Sequence, residues 1–247
     1  MKTIDLNADV GEGFASDAEL IPLMTSVNIA CGAHAGDDAT MSNAVRIAKQ
    51  AGVAIGAHPG HEDRENFGRI ELPLTKDSAK RLVEDQLKRL QAIASEHGAR
   101  VSYVKPHGAL YHQAGTDKYV AAGIVQALLE VDPKLCLLGQ SNTALEESAV
   151  QAGLSFFREA FADRAYLADG SLAPRTQQGA LLPSDEAVIA QALGIATNST
   201  ALTIEGEPIR MPCDSLCLHG DGQRVIERAI AVRECLKESG VALRAFG

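Results

Sequence analysis

The 247-residue chain has no run of Lys or Arg. It carries 23 basic against 32 acidic residues, a net charge of -9, and the acidic excess is scattered. Without a basic stripe it lacks the footprint for phosphate backbones or anionic lipid, so neither nucleic acid nor a membrane surface is an expected partner. The five cysteines (Cys31, Cys136, Cys213, Cys217 and Cys235) are odd in number and form no C-x-x-C pair. This argues against a disulfide framework or a zinc ribbon and leaves reduced, buried thiols as the expectation. No apolar run reaches the ~20 residues of a membrane-spanning helix, and no apolar leader precedes Ile4-Asp5-Leu6, so a cytoplasmic location is expected.

Several catalytic and nucleotide-binding signatures are absent as well. There is no G-x-x-x-x-G-K-[ST] loop and no G-x-G-x-x-G after a strand, which removes the usual backbone cradles for nucleotides. A G-x-S-x-G elbow is missing, which weakens a serine-esterase reading. No helical H-E-x-x-H occurs, and His58-x-x-His61 is too little to define a metal site. No Pro/Ser-rich linker or shift in composition divides the chain, so residues 1–247 read as one domain.

What is present is an ordinary globular composition, 46% apolar and 22% charged, enough to bury a core without staples. Apolar residues recur with helical period over 38–51 (Met41, Ala44, Val45, Ala48, Ala51) and 76–97 (Ala79, Leu82, Val83, Leu87, Leu90, Ile93, Ala94), each stopped by a glycine. Further helices are predicted over 117–130, 142–152, 184–196 and 223–238. Short apolar runs between them predict seven strands: 3–8, 26–30, 53–57, 101–105, 135–138, 154–158 and 215–218. Strand alternating with helix in units of about 35 residues indicates βαβ repeats and a parallel sheet. A closed or nearly closed β/α barrel is the first expectation and an open doubly wound sheet the second.

The polar residues follow the strands. Asn7 and Asp9 come at the first, His34 after the second, His58 and His61 at the third, Lys105 and His107 at the fourth. Glu159, Asp163 and Arg164 come at the sixth, and His219 and Asp221 at the seventh. Six of the seven histidines fall in or just beyond such segments (His112 just beyond), and only His97 lies on a helix. In parallel β/α folds the carboxyl ends of the strands meet at one face, where ligands bind. This pattern predicts a small-molecule active site. Plainer roles stand beside it: one of Asp5, Asn7 and Asp9 serving structure, His61 closing a loop, His112 at the surface, and Glu159 paired only with Arg158.

Seven segments resemble the LamB/YcsF family. They are Asp5-Leu-Asn-Ala-Asp-Val-Gly-Glu12, Thr25-Ser-Val-Asn-Ile-Ala-Cys-Gly-Ala-His-Ala-Gly-Asp37, Gly56-Ala-His-Pro59, Phe67-Gly-Arg69, Val104-Lys-Pro-His-Gly-Ala-Leu-Tyr111, Arg158-Glu-Ala-Phe-Ala-Asp-Arg-Ala-Tyr166 and His219-Gly-Asp221. The resemblance implies a seven-stranded parallel β/α barrel of the glycoside hydrolase/deacetylase type. It also implies ATP-dependent cleavage of 5-oxo-L-proline to L-glutamate, ADP and phosphate, together with 5-oxoprolinase subunits B and C. The missing phosphate loop fits an arrangement in which those partners handle most of the ATP.

Opening a γ-lactam needs an activated carbonyl, and phosphorylation of the lactam oxygen would provide it. Four residues are then expected to be catalytic. Asp9 is the candidate general base, its pKa raised in a partly dry pocket. His58 or His107 shares that role or protonates the leaving nitrogen, and Lys105 stabilises the oxyanion or the phosphate. Arg69 or Arg164 is expected to clamp the substrate carboxylate, with Asn7, Asn28, His34, His219 and Asp221 as further substrate-binding residues. A divalent metal on His34, His58 and His107 is the chemical rival, although Val10 stands where related deacetylases place a second acid. The competing functions are a stand-alone metal-dependent deacetylase or amidohydrolase, and a binding subunit without chemistry of its own.

Overall fold

In a computed structural model, which describes residues 2–219 and 224–246, the first strand already shows how the barrel is built. Strand β1 (Lys2–Val10) is buried from Ile4 onward. Leu6, Ala8 and Val10 join the hydrophobic core, while Asp5, Asn7 and Asp9, offset by one residue, share the opposite face. All three polar side chains therefore point the same way. Asp5 serves structure, accepting hydrogen bonds from the hydroxyls of Thr25 (2.5 Å), Ser26 (2.7 Å) and Ser215.

The barrel continues through β2 (Ser26–Ala30), β3 (Ala54–His58), β4 (Val101–Val104), β5 (Cys136–Gln140) and β6 (Phe156–Phe161). A short antiparallel hairpin of β7 (Thr200–Leu202) and β8 (Pro208–Arg210) stands outside the ring. Strand β9 (Ser215–Cys217) closes it by pairing in parallel with both β6 and β1. Ser215 is in register with Asp5 on one side and with Glu159 on the other. Closure settles the choice against an open sheet. All seven expected strands occur, with ends displaced by up to three residues. A further strand, β10 (Val241–Leu243), pairs with the first residues of β1.

Helices cover the outside: α1 (Asp17–Leu20), α2 (Asp38–Ala51), α3 (Lys76–Glu96), α4 (Gly108–Thr116), α5 (Lys118–Val131), α6 (Ala144–Gln151), α7 (Asp185–Asn198) and α8 (Val225–Glu238). Asp37 and Thr40 form a capping box at the start of α2, and Gly52 ends it in the left-handed region (φ 69°). Thr75 and Ser78 repeat the box on α3. The buried stripes of these two helices follow the predicted period, except that Ala51 is exposed at the end of α2, Leu82 is half-buried, and Gln86 is buried on α3 by its hydrogen bonds to the Gly60 backbone. Helix α4 was not predicted because its N-cap, His107, makes no side-chain capping bond. Its buried residues also run nearly continuously from Ala109 to Ala114, without a single helical stripe. Among the described residues no helix is long and apolar enough to cross a membrane. All five cysteines are free, but only Cys31 and Cys217 are buried; Cys136, Cys213 and Cys235 are partly exposed.

Candidate active site

The carboxyl ends of the barrel strands surround a cavity of about 420 Å³, within the range of small-molecule sites. Asp9, His58, Lys105 and His107, the four expected catalytic residues, all line it. Lys105 is 2% exposed and reaches across the barrel. Its Nζ lies 2.9 Å from Asp9 Oδ1, 2.8 Å from Glu159 Oε1 and 3.4 Å from Asn7 Oδ1. Burial works against this charge, but Asp9 foremost, with Glu159 beyond it, holds the Lys105 pKa well above the usual lysine value.

Asp9 departs from expectation. Burial would raise its pKa, but His58 and Lys105 outweigh burial and hold it well below the usual carboxylate value. Asn28 Nδ2 donates to the same Oδ1 at 2.8 Å, and His58 Nε2 lies 3.4 Å from Oδ2. Asp9 is therefore an ionised, weakly basic carboxylate at neutral pH. The expectation of a raised pKa considered desolvation alone and could not include a lysine 96 residues away.

A second cluster adjoins it. His58 Nε2 lies 3.0 Å from His107 Nδ1, and the rings of His107 and His34 stack at 3.7 Å and 4°. Glu12 Oε1 is 3.4 Å from His34 Nε2, 3.4 Å from His107 Nδ1 and 4.0 Å from His58 Nε2. Burial, reinforced by His58, pushes the His34 pKa down to about 3 and that of His107 lower still. Both rings are neutral near pH 7, the form that ligates metals. One ligand atom from each of the four residues lies within 4.8 Å of the others, a grouping compatible with a divalent metal. Glycines make room for it. A Cβ at Gly60 would sit 2.7 Å from His34 Nδ1, and one at Gly68 2.7 Å from the His34 Cβ.

Glu12 is the acid that residue-by-residue reading missed, because only the position after Asp9 was considered. Gly11 (φ 73°) turns the chain there, its N–H donating to Asp17 Oδ2 at 2.7 Å, and the next residue is Glu12. The plainer role expected for Glu159, a pair with Arg158, is not what forms: Glu159 pairs with Lys105, whereas Arg158 makes a two-pronged bond to Asp214, with both contacts 2.9 Å.

The other predicted binding residues divide into two groups. Arg69, Arg164 and His219 line the cavity, as do Arg175 and the exposed His112. Arg164 donates to the Ala173 carbonyl at 2.7 Å, and Arg69 lies 4.9 Å from the centre of the Phe67 ring. His219 stacks on Phe161 at 5.4 Å, its Nδ1 2.9 Å from Asp163 Oδ1. Burial would raise the Asp163 pKa, but His219 brings it below the usual value. Asn7, Asn28 and His34 do not line the cavity. Asn7 donates to Ser215 Oγ (2.7 Å) and Glu159 (3.1 Å), and Asn28 to Asn7 (2.7 Å) and Asp9, so their amides position the acids. His61 is buried outside the lining, and Asp221 lies outside the described residues.

A family model described as the LamB/YcsF family matches residues 4–247. A protein of Nocardia farcinica (strain IFM 10152), named as the A subunit of 5-oxoprolinase, is 45% identical over 98% of this chain and 99% of its own length. The crystal structure of a lactam utilization protein from Thermus thermophilus superposes with a TM-score of 0.93 at 40% identity, covering 99% of this chain and 100% of that one. The polysaccharide deacetylase Bc1974 from Bacillus cereus shares the fold alone, with a TM-score of 0.51 at 16% identity, over 100% of this chain and 93% of that one.

Proposed function

The chain belongs to the LamB/YcsF family, and from that premise we propose that it is the A subunit of an ATP-hydrolysing 5-oxoprolinase, opening 5-oxo-L-proline to L-glutamate. The observation that carries this reading is the end-to-end identity of 45% with a relative of that name. The cavity suits the substrate, since a small lactam acid needs a cation for its carboxylate and a proton-handling group near its ring. Arg69, Arg164 and Arg175 line the wall, while Asp9, Lys105 and the histidines supply the polar end.

Subunits B and C supply the phosphoryl group from ATP. With the lactam oxygen phosphorylated, water adds to the ring carbon and the C–N bond breaks as nitrogen takes up a proton. A second water then releases phosphate from the acyl phosphate, leaving the γ-carboxylate. Lys105, held charged and immobile by Asp9 and Glu159, is preorganised to stabilise negative charge developing on the substrate. Asp9, ionised and weakly basic, orients water by accepting its hydrogen bond. The proton is moved by His219. Asp163 accepts its Nδ1–H, which fixes the tautomer with a bare Nε2 on a residue lining the cavity.

Glutamate release from 5-oxoproline and ATP tests the reading, with the chain alone and with subunits B and C. Activity is expected only in the complete mixture. Turnover of an acetylated sugar or another amide by the chain alone, with no glutamate from the complete mixture, would overturn it in favour of a self-sufficient deacetylase.

A further inference from the structure

The histidine cluster next to the proposed catalytic groups has a bonding pattern that the lactam-opening chemistry does not require. His58 Nδ1 lies 2.7 Å from the Lys105 carbonyl oxygen, and His107 Nε2 lies 2.8 Å from that of Phe67. A carbonyl only accepts, so both of these nitrogens carry hydrogen. A neutral imidazole has one N–H, which leaves His58 Nε2 and His107 Nδ1 both as lone pairs. These two atoms nevertheless face each other at 3.0 Å. Two lone pairs that close repel unless positive charge lies between them, supplied either by a proton or by a metal ion.

Three observations favour the metal. His34 is 1% exposed, and neither of its ring nitrogens makes a hydrogen bond. A proton shared by His58 and His107 would do nothing for it. One oxygen, Glu12 Oε1, lies 3.4 to 4.0 Å from a nitrogen of each of the three histidines, and so faces the same point. The backbone carbonyls on the far nitrogens of His58 and His107 are the outer partners that fix tautomer and ring orientation in metal-ligating histidines.

The size is right as well. Ligand atoms about 2.1 Å from a common centre are separated by roughly 3 to 4 Å. The separations between facing atoms of the cluster run from 3.0 to 4.0 Å, and the whole set fits within 4.8 Å.

We infer that Glu12, His34, His58 and His107 bind one divalent first-row transition-metal ion at the polar end of the cavity. Three imidazoles and one carboxylate suit zinc, cobalt, iron or nickel better than calcium or magnesium, which prefer all-oxygen sets. Bound there, such an ion supplies Lewis acidity toward a carbonyl or phosphoryl oxygen. Asp9 is not in the ligand set: its Oδ1 is held by Lys105 and Asn28, and although its Oδ2 lies 3.4 Å from His58 Nε2, it falls outside the grouping whose ligand atoms all lie within 4.8 Å of one another. The site goes beyond the oxoprolinase reading and does not depend on it.

The test is a titration of the chelator-treated, full-length chain with Co(II), followed by visible absorption, and with Zn(II), followed by calorimetry. One ion per chain is expected, with cobalt d–d bands of low-symmetry, nitrogen-rich coordination. Glu12→Gln and His107→Ala should each weaken binding by at least about tenfold, with circular dichroism checking that the variants fold. Absence of d–d bands and of binding heat in the unsubstituted chain would overturn the site and leave a shared proton on the His58–His107 pair. Binding that both folded variants retain unchanged would overturn it too, by assigning the ion to the surface. Neither readout requires 5-oxoproline, so failure of this site and failure of the oxoprolinase reading are separable.

Discussion

Replacing Lys105 by Met is the sharpest test of how the centre of the barrel is held together. The substitution keeps most of the side-chain volume and removes one charge. It leaves Asp9 and Glu159, each within 3 Å of Nζ in the native protein, buried without their shared cation. Breaking a buried pair from one side costs about 3–5 kcal/mol, because the remaining charge has lost its partner. For a chain of this size that corresponds to a fall in Tm of about 10 °C, at roughly 2–4 °C per kcal/mol. The penalty has a definite pH dependence. Without the lysine, it is chiefly His58 that opposes the burial of Asp9, and the folded-state pKa of that acid moves up from its lowered value. The loss is therefore full at pH 7.5 and shrinks as pH falls through the pKa of Asp9 in the variant, because protonation removes the incompletely compensated charge. Urea unfolding followed by circular dichroism at pH 7.5 and pH 5 measures both effects. Adding Glu159→Gln should recover part of the loss, since one of the two orphaned charges is then absent. A Lys105→Met variant losing less than about 1 kcal/mol, or losing the same amount at both pH values, would refute the account.

Two further outcomes follow from the same structure. In the assembled enzyme, His219→Gln should lower kcat by about 100-fold or more with little change in KM, as removal of a proton-transfer group does. Asp163→Asn should act in the same direction, because His219 Nδ1 would lose the carboxylate that orients it; a rise in KM with kcat intact would show binding alone. At the edge of the barrel, Asp214 is held below the usual carboxylate pKa, since the bonds from Arg158 outweigh burial. Its contribution is then present above pH 4 and lost as pH falls through the lowered folded value. Asp214→Asn should cost about 1 kcal/mol at pH 7, allowing for solvent screening of this half-exposed pair, and nothing near pH 2. Denaturant midpoints across that range decide it.

The barrel was legible because its strands are short apolar runs and its longer helices carry capped stripes, both of which are local signals. Asp9, His58, Lys105 and His107 were legible because each follows or ends such a run, and parallel topology gathers those ends. The pairings were not. Glu159 sits beside Arg158 in the chain, but strand alternation turns the two apart and Asp214 takes the arginine. Asn7 and Asn28 resemble ligand-binding amides in a list of polar strand residues, but their hydrogen bonds are spent on Asp9, Glu159 and Ser215. Asp9 shows the same limit in its charge. Desolvation can be anticipated from a buried strand, whereas a compensating cation from three strands away appears only when the ring is formed.

Ring closure by β9 has a consequence for the life of the molecule before it is complete. Synthesis runs from β1 to β9, so for most of translation β1 and β6 are two open edges with nothing to join them. Ser215, which holds both Asp5 and Asn7, is added only after β1 to β8 have been made. A nascent or prematurely terminated polypeptide can thus contain Asp9, Lys105 and Glu159 and still lack the strand that draws their two sides together. Pairings between residues so far apart form slowly, and open edges invite association with other chains in the interval. The timing is a hazard: chains that lack β9 are the species most in need of a chaperone.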